Sequence, residues 1–359
     1  MATVKMKKLG LFVLREHMDE LLRELMLLGC VEVSAPETIL REPGLSGIVR
    51  CEAAGLETKL ANYRALDHGL EIISRRCPSK LGKRTRRPKI TQTALLDKKD
   101  LFECLERARA LVTLEAKLRL LITEEARERG FIESLEPWSG LTLSLDCEGT
   151  EQTSAITVTV PASVDPNALG RALSLAAPEA HCFVVSSDSE NHYLSVIFLR
   201  ERRNEVFEVL SKFGFAVSHL KKLSVTASEA IKNSTARVSE MQTVKKKILT
   251  QIEEHAKYKD TLRRCYDLAG AEVAHAEAAE KLLFTRSFLY LTGWMPAPSE
   301  SALLNVLSKY LCAWELCDPS PNEPEAVPVI SASRRGDTAR LFNPLRINTK
   351  YMDVIKEDN

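Results

Sequence analysis

Residues 288–296 read FLYLTGWMP: four large apolar or aromatic side chains, then Thr-Gly, then Trp, Met and Pro, with no charge among them. Such density favours a β-strand, and Pro296 marks its end. The residues after it add little. Pro298-Ser299-Glu300 opens a short helix over 301–310, and CAWELC at 312–317 reads as another strand. Two strands and one helix are too few to bury a core of their own. The rest of that lobe must come from elsewhere in the chain.

The N-terminus offers the missing half. Residues 4–14, VKMKKLGLFVL, alternate and then run apolar, as a strand does. In 16–29 the apolar positions Met18, Leu21, Leu22, Leu25 and Leu28 form one helical stripe that Gly29 closes, and Cys30-Val31-Glu32-Val33 reads as a second strand. Joined, the two ends supply four strands and two helices. The stretch at 288–296 is then a strand of the first lobe, added after the whole middle of the chain. Trp294 has two readings. It fills the core or edge of that lobe, or, with Met295, it is a docking anchor on the surface, since Trp is enriched at interfaces.

The middle has two textures. Residues 48–76 and 97–129 are helical, with Leu56, Leu60, Tyr63, Leu70 and Ile73 on the first stripe and Leu101, Leu105, Ala108, Val112, Leu118 and Ile122 on the second. Both are polar on the opposite side and require a helical partner. Residues 226–283 lack Pro, hold Gly270 as their one Gly, and place Ile231, Val238, Met241, Ile248, Ile252, Leu262, Tyr266 and Val273 on a coiled-coil seam. One continuous helix there would be about 85 Å long, with Lys245, His255 and Lys259 interrupting the seam. Between the helices, 140–222 alternates strands (156–160, 181–185, 192–200, 215–219) with helices (166–175, 202–213). That is a second α/β lobe, with an antiparallel or mixed sheet and helices on one face. DPSPNEPEAVP, 318–328, is a Pro-rich linker.

The expected fold is α+β: an elongated dumbbell, two α/β lobes joined by a long antiparallel helical hairpin or coiled-coil bundle. Its expected parts are a discontinuous proximal lobe (1–47 with 284–330), a helical bundle (48–139 with 223–283), a distal lobe (140–222) and a linker (331–359).

Composition narrows the function. The chain has 359 residues, 28% of them charged, and a net charge of +1, so bulk charge favours neither nucleic acid nor an anionic membrane. No run of about 18 apolar residues suggests a membrane span. Nine cysteines are scattered without a CxxC, and MATVKMKKLG lacks a signal-peptide core, so free thiols in a reducing cytoplasm are expected. There is no GxxxxGK[ST] and no GxSxG. His181 and His192 flank the turn segment SSDSEN but lack metal spacing with carboxylates, and no acid/base pair stands out. No enzyme, cofactor, metal or small-molecule substrate is therefore expected. The strongest local charge is the loop carrying Lys80, Lys83, Arg84, Arg86, Arg87 and Lys89. It reads as a solvated loop, as a docking site for an acidic protein surface, or as a nucleic-acid contact. The last lacks aromatics interleaved for stacking.

The opening VKMKKLGLFVLREHMDELLRELMLLGCVEV resembles that of the V/A-type rotary ATPase subunit I family, called subunit a in eukaryotes. The resemblance lies in Lys5, Met6, Leu27 to Gly29, Val31 and Val33. FLYLTGWMP resembles the same family's Gly-Trp-Val-Pro motif, with Met295 in place of Val, and the order of lobe, hairpin, far lobe, return helix and lobe also matches. The departure is in 342–354, FNPLRINTKYMDV. Pro344 and Tyr351 fit a Pro-Phe-Glu…Tyr element, but Leu345 and Arg346 stand where Phe and Glu are expected, and no Asp-Pro-Thr comes after them. The chain stops at Asn359, about where the family's membrane half begins, so no residue here corresponds to the family's membrane arginine.

The resemblance implies a non-catalytic stator subunit at the cytoplasmic face of the membrane. Its implied partners are peripheral-stalk E/G-type heterodimers, the central-stalk socket subunit and, through the membrane half, the rotor ring. The alternatives are an antiparallel coiled-coil arm of a nucleic-acid-binding protein and a generic coiled-coil scaffold. The candidate interface residues are Trp294, Met295, Lys83, Arg84, Arg86 and Arg87.

Overall fold

A computed structural model describes residues 4–35, 49–50, 55–78, 87–218, 220–319, 327–328 and 341–355. In chain order the elements are β1 (Met6–Leu14), α1 (Met18–Leu28), β2 (Glu32–Ser34), β3 (Val49–Arg50), α2 (Leu56–Arg76), β4 (Lys89–Thr91), α3 (Gln92–Leu96) and α4 (Leu101–Leu135). Next come β5 (Thr153–Pro161), α5 (Pro166–Ala176), β6 (His181–Ser187), β7 (Asn191–Leu199), α6 (Arg203–Lys212), β8 (Ala216–Val217), α7 (Ala227–Ala256) and α8 (Lys259–Glu280). The last are β9 (Leu283–Phe284), β10 (Phe288–Pro296), α9 (Glu300–Leu307), β11 (Cys312–Cys317) and β12 (Asp353–Ile355). The class is α+β, with long helices and separate sheets. The chain divides into two compact units, one of residues 1–114 and 251–359, the other of residues 115–250.

The first unit is built on a six-stranded sheet, ordered β11-β1-β10-β9-β3, with β2 also beside β10. β1 and β10 pair antiparallel along their whole length, from Met6↔Pro296 to Leu14↔Phe288. Directly opposed residues share a sheet face. Leu9, Leu11 and Val13 therefore line up with Leu289 and Leu291 on the inner face, where they meet Leu21, Leu22 and Leu25 of α1 and Leu303 and Leu307 of α9. All of these are fully or almost fully buried, and they form the core of the lobe. α1 ends at Gly29, whose φ of 69° is left-handed and whose N–H donates to the Leu25 carbonyl at 2.9 Å.

Helices α2 and α8 pack in the same unit. Tyr63 and Tyr266 stack at 4.6 Å between ring centroids, with their hydroxyls 2.5 Å apart. Cys104 on α4 and Cys265 on α8 are both buried. Arg264 donates to the carbonyls of Ala94 and Asp97 and to the Asp100 carboxylate. The stretch expected to be a linker is instead part of this unit over residues 341–355. β12 pairs parallel with β4. The buried Asp267 carboxylate accepts backbone N–H bonds from Lys350, Tyr351 and Met352 at 2.8, 3.0 and 2.8 Å. Leu345 N–H donates to the Val31 carbonyl and Asn343 N–H to Glu32 Oε2.

The second unit centres on an antiparallel sheet ordered β6-β7-β5-β8. α5 and α6 cover one face, burying Leu169, Leu173, Val206 and Leu210 against Val158, Val160, Leu194, Val196 and Phe198. Asp165 caps α5 by accepting from Asn167 N–H, and Pro166 occupies the first helical position. α7 starts with a capping box, in which the side chains of Thr226 and Glu229 each accept the other's backbone N–H at 3.3 Å. Glu125 of α4 is held by Arg129, Gln242 and Lys245, and these hydrogen bonds lower its carboxyl to about 2.

The continuous helix expected over 226–283 is corrected. α7 stops at Ala256 and α8 starts at Lys259. At the break the bonds tighten to i→i−3: Lys257 N–H to the Glu254 carbonyl and Tyr258 N–H to that of His255. Neither Pro nor Gly marks it. The Arg107 guanidinium lies over the Tyr258 ring at 3.6 Å, a tertiary contact that the periodicity does not encode.

Candidate docking surface

The sheet of the first unit places the sequence-derived candidates. Met295 is fully buried and belongs to the inner core. Trp294 is 3% exposed, flanked by Lys8 on β1 and Glu32 on β2. Neither side chain presents surface to a partner. The backbone explains the Gly before them: β2 pairs with β10 so closely that a Cβ on Gly293 would meet the Glu32 carbonyl oxygen at 2.4 Å. Lys83, Arg84 and Arg86 lie outside the described residues. Arg87 is exposed, and its Nη1 donates to the Thr349 carbonyl at 3.4 Å. The structure thus brings Trp294 and Met295 together in one strand and sets Arg87 beside the C-terminal segment.

The exposed apolar surface of this lobe lies elsewhere. On the outer face, Phe12 of β1 packs at a tilt against Tyr290 of β10, centroids 4.4 Å apart, and Phe12 is 51% exposed. Phe288, at the end of β10, is 49% exposed. At the margin, Trp314 of β11 is 46% exposed but lies on the other face, opposite Leu11, and Leu311 is more exposed still. Among the described residues β11 has β1 as its one neighbour and is an edge strand of the sheet. Aromatic side chains on an open face beside a strand edge suit a protein partner, through burial of rings and addition of a strand or helix. The surrounding charges are tied in ion pairs: Lys7 to Glu300 at 2.7 Å, which pushes the lysine up, Lys5 to Asp318, and Lys309 to Glu24. Burial, then Glu315, pushes the Tyr290 phenol up, so it stays neutral.

Sequence reasoning missed these aromatics although a signal was there. With Leu9, Leu11 and Val13 pointing one way, alternation puts Phe12 on the other face. Among the described residues no three His, Cys, Asp or Glu side chains form a group able to hold a metal. His181 is paired opposite Ile197, and His192 bonds Ser187 Oγ, so the two histidines do not converge. Also among the described residues, no helix is long and apolar enough to cross a membrane.

No family model matches the chain, and none of the curated proteins does. Among solved structures it is similar to one described as the cytoplasmic N-terminal domain of subunit I, homolog of subunit a, of V-ATPase. That match has a TM-score of 0.44 and 17% identity, and covers 86% of this chain and 99% of the other.

Proposed function

We propose that this chain is the cytoplasmic stator domain of a V/A-type ion-translocating rotary ATPase, a non-catalytic part that anchors peripheral-stalk heterodimers to the membrane motor and resists torque. One observation carries the reading. The two motifs that resemble the family, far apart in sequence, are neighbouring strands in one sheet, with Lys8 opposite Trp294 and Leu9 opposite Gly293. Each motif's residues are then explained by the other's presence. In this reading the discontinuous lobe (1–47 with 284–330), the helical part (48–139 with 223–283) and the distal lobe (140–222) are the working divisions. The exposed Phe12 and Phe288 of the outer face receive the end of a stalk heterodimer. Long helices such as α4 and α7 supply stiffness against torque.

The test is binding of a purified E/G-type stalk heterodimer to the whole chain, measured by calorimetry. The reading expects saturable binding that Phe12→Ser and Phe288→Ser each weaken at least tenfold, about 1.4 kcal/mol. Absence of binding at low salt would overturn it. Salt-dependent binding to DNA or RNA in its place would favour the nucleic-acid arm.

A further inference from the structure

Helices α1, α2, α3 and α8 of the first unit enclose a cavity of about 270 Å³. Its floor is apolar, made by Met26, Leu96, Leu268 and Ala271, and its rim is charged. On the rim, Lys98 and Glu272 form an ion pair and neutralise each other. Arg23 and Lys59 make no hydrogen bond or ion pair among the described residues. His275 of α8 completes the lining. Its side chain is 13% exposed, and its Nε2 is buried without a hydrogen-bond partner. The nearest carboxylate oxygen, Asp19 Oδ1, stands 3.8 Å away, past hydrogen-bond reach. Burial, with Lys59 and Arg23 acting in the same direction and Asp19 against them, holds this imidazole below its ordinary value, so near neutral pH it is uncharged.

We propose that this cavity binds a small amphipathic carboxylate, whose oxygens take the charges of Arg23 and Lys59 while its apolar body lies against Leu96, Leu268 and Met26, beside the His275 ring. The charge balance selects a monoanion. With Lys98 and Glu272 cancelled, Arg23 and Lys59 face Asp19, which leaves one positive charge on the rim. A phosphate dianion would exceed that charge and would leave the apolar floor uncovered, whereas a carboxylate on a short alkyl chain satisfies both halves. The site is independent of the stator reading.

The experiment titrates the full chain with hexanoate and follows the histidine ring resonances by NMR, with hexylammonium and inorganic phosphate as comparison probes. The expected result is a saturable shift of the His275 ring, with His192 unmoved, and at least fivefold weaker binding in Arg23→Ala and in Lys59→Ala. Both variants change rim residues and should leave the fold intact, which the unshifted His192 resonance and unchanged amide spectrum report. No saturable shift, undiminished binding by both variants, or a stronger response to hexylammonium or phosphate would each overturn the proposal.

Discussion

Gly293 on β10 and Glu32 on β2 approach so closely that a Cβ on the glycine would stand 2.4 Å from the Glu32 carbonyl oxygen. That oxygen belongs to a paired strand and cannot rotate aside. Gly293→Ala is expected to cost about 1–3 kcal/mol, as overpacking of a fixed neighbour does. Gly170→Ala, in α5 with nothing within 4 Å of its Cβ position, should be neutral or slightly stabilising. Urea unfolding of the two variants checks the contrast. Equal stability would mean that β2 does not approach β10 this closely at Gly293.

Asp267 holds residues 350–352 by three backbone donors, and its side chain lies in a buried site. Replacing it with Asn keeps the shape but removes the charge and turns one acceptor into a donor. Hydrogen bonds to charged groups contribute about 1.5–3 kcal/mol. Asp267→Asn should therefore speed amide exchange at Lys350, Tyr351 and Met352 by about tenfold or more, and leave the β1–β10 amides protected. Unchanged exchange at 350–352 would show that the segment is held by other contacts.

Acid should destabilise the first unit through two histidines. Burial, the main cause in both, holds His255 and His275 below 6.5, with Arg107 adding at His255 and Lys59 and Arg23 at His275. The unfolded chain takes up these protons from about pH 6.5 downward, and the folded chain only at lower pH. The contribution is present above pH 6.5 and is lost as pH falls through it toward the folded values. Glu125, lowered to about 2, acts in a separate window: its contribution is present above 4.5 and lost as pH falls toward 2. Urea midpoints at about pH 7.5, 6.5 and 5.5 should fall in that order, and His255→Gln with His275→Gln should flatten the slope. A slope that survives both changes would assign it elsewhere.

Thiol labelling should follow exposure. Cys147 and Cys317 are exposed, Cys104 and Cys265 are buried, and burial pushes Cys182 up to about 11. In native buffer an aromatic disulfide reagent should modify Cys147 and Cys317 first, and Cys104 and Cys265 only as the chain unfolds. Mass spectrometry of the labelled peptides reads the order. Early modification of Cys265 would mean that its side chain is not buried as described.

Part of the fold was legible from the residues. Alternation in 4–14 and the apolar run at 288–296 identify β1 and β10, because a strand buried on one face must repeat every second residue. By their strand count the two ends need each other, and the register Met6↔Pro296 is the corresponding structural fact. The alternation of strands and helices in 140–222 likewise gives β5 to β8 with α5 and α6. Other features depend on contacts that no local pattern holds. The break at Lys257–Tyr258 lacks Gly and Pro and coincides with a ring contact to Arg107. On α4 the buried face runs through Cys104, Ala108, Leu111 and Leu118, while Val112 and Ile122, which looked equally suited, are exposed. The choice between neighbouring apolar residues is made by the partner helix. Trp294 shows the same limit: its type fits a core and an interface alike, and only the sheet around it decides.

The central claim is that the two ends of the chain form one sheet. The most direct measurement is a nuclear Overhauser effect between the rings of Phe12 and Tyr290, whose centroids lie 4.4 Å apart on directly opposed residues of β1 and β10. With selectively labelled aromatics in the intact chain, a strong cross-peak between the two rings is predicted. A folded chain that lacks this cross-peak, with Phe12 and Tyr290 each close to other residues, would contradict the shared sheet and remove the support for the stator reading.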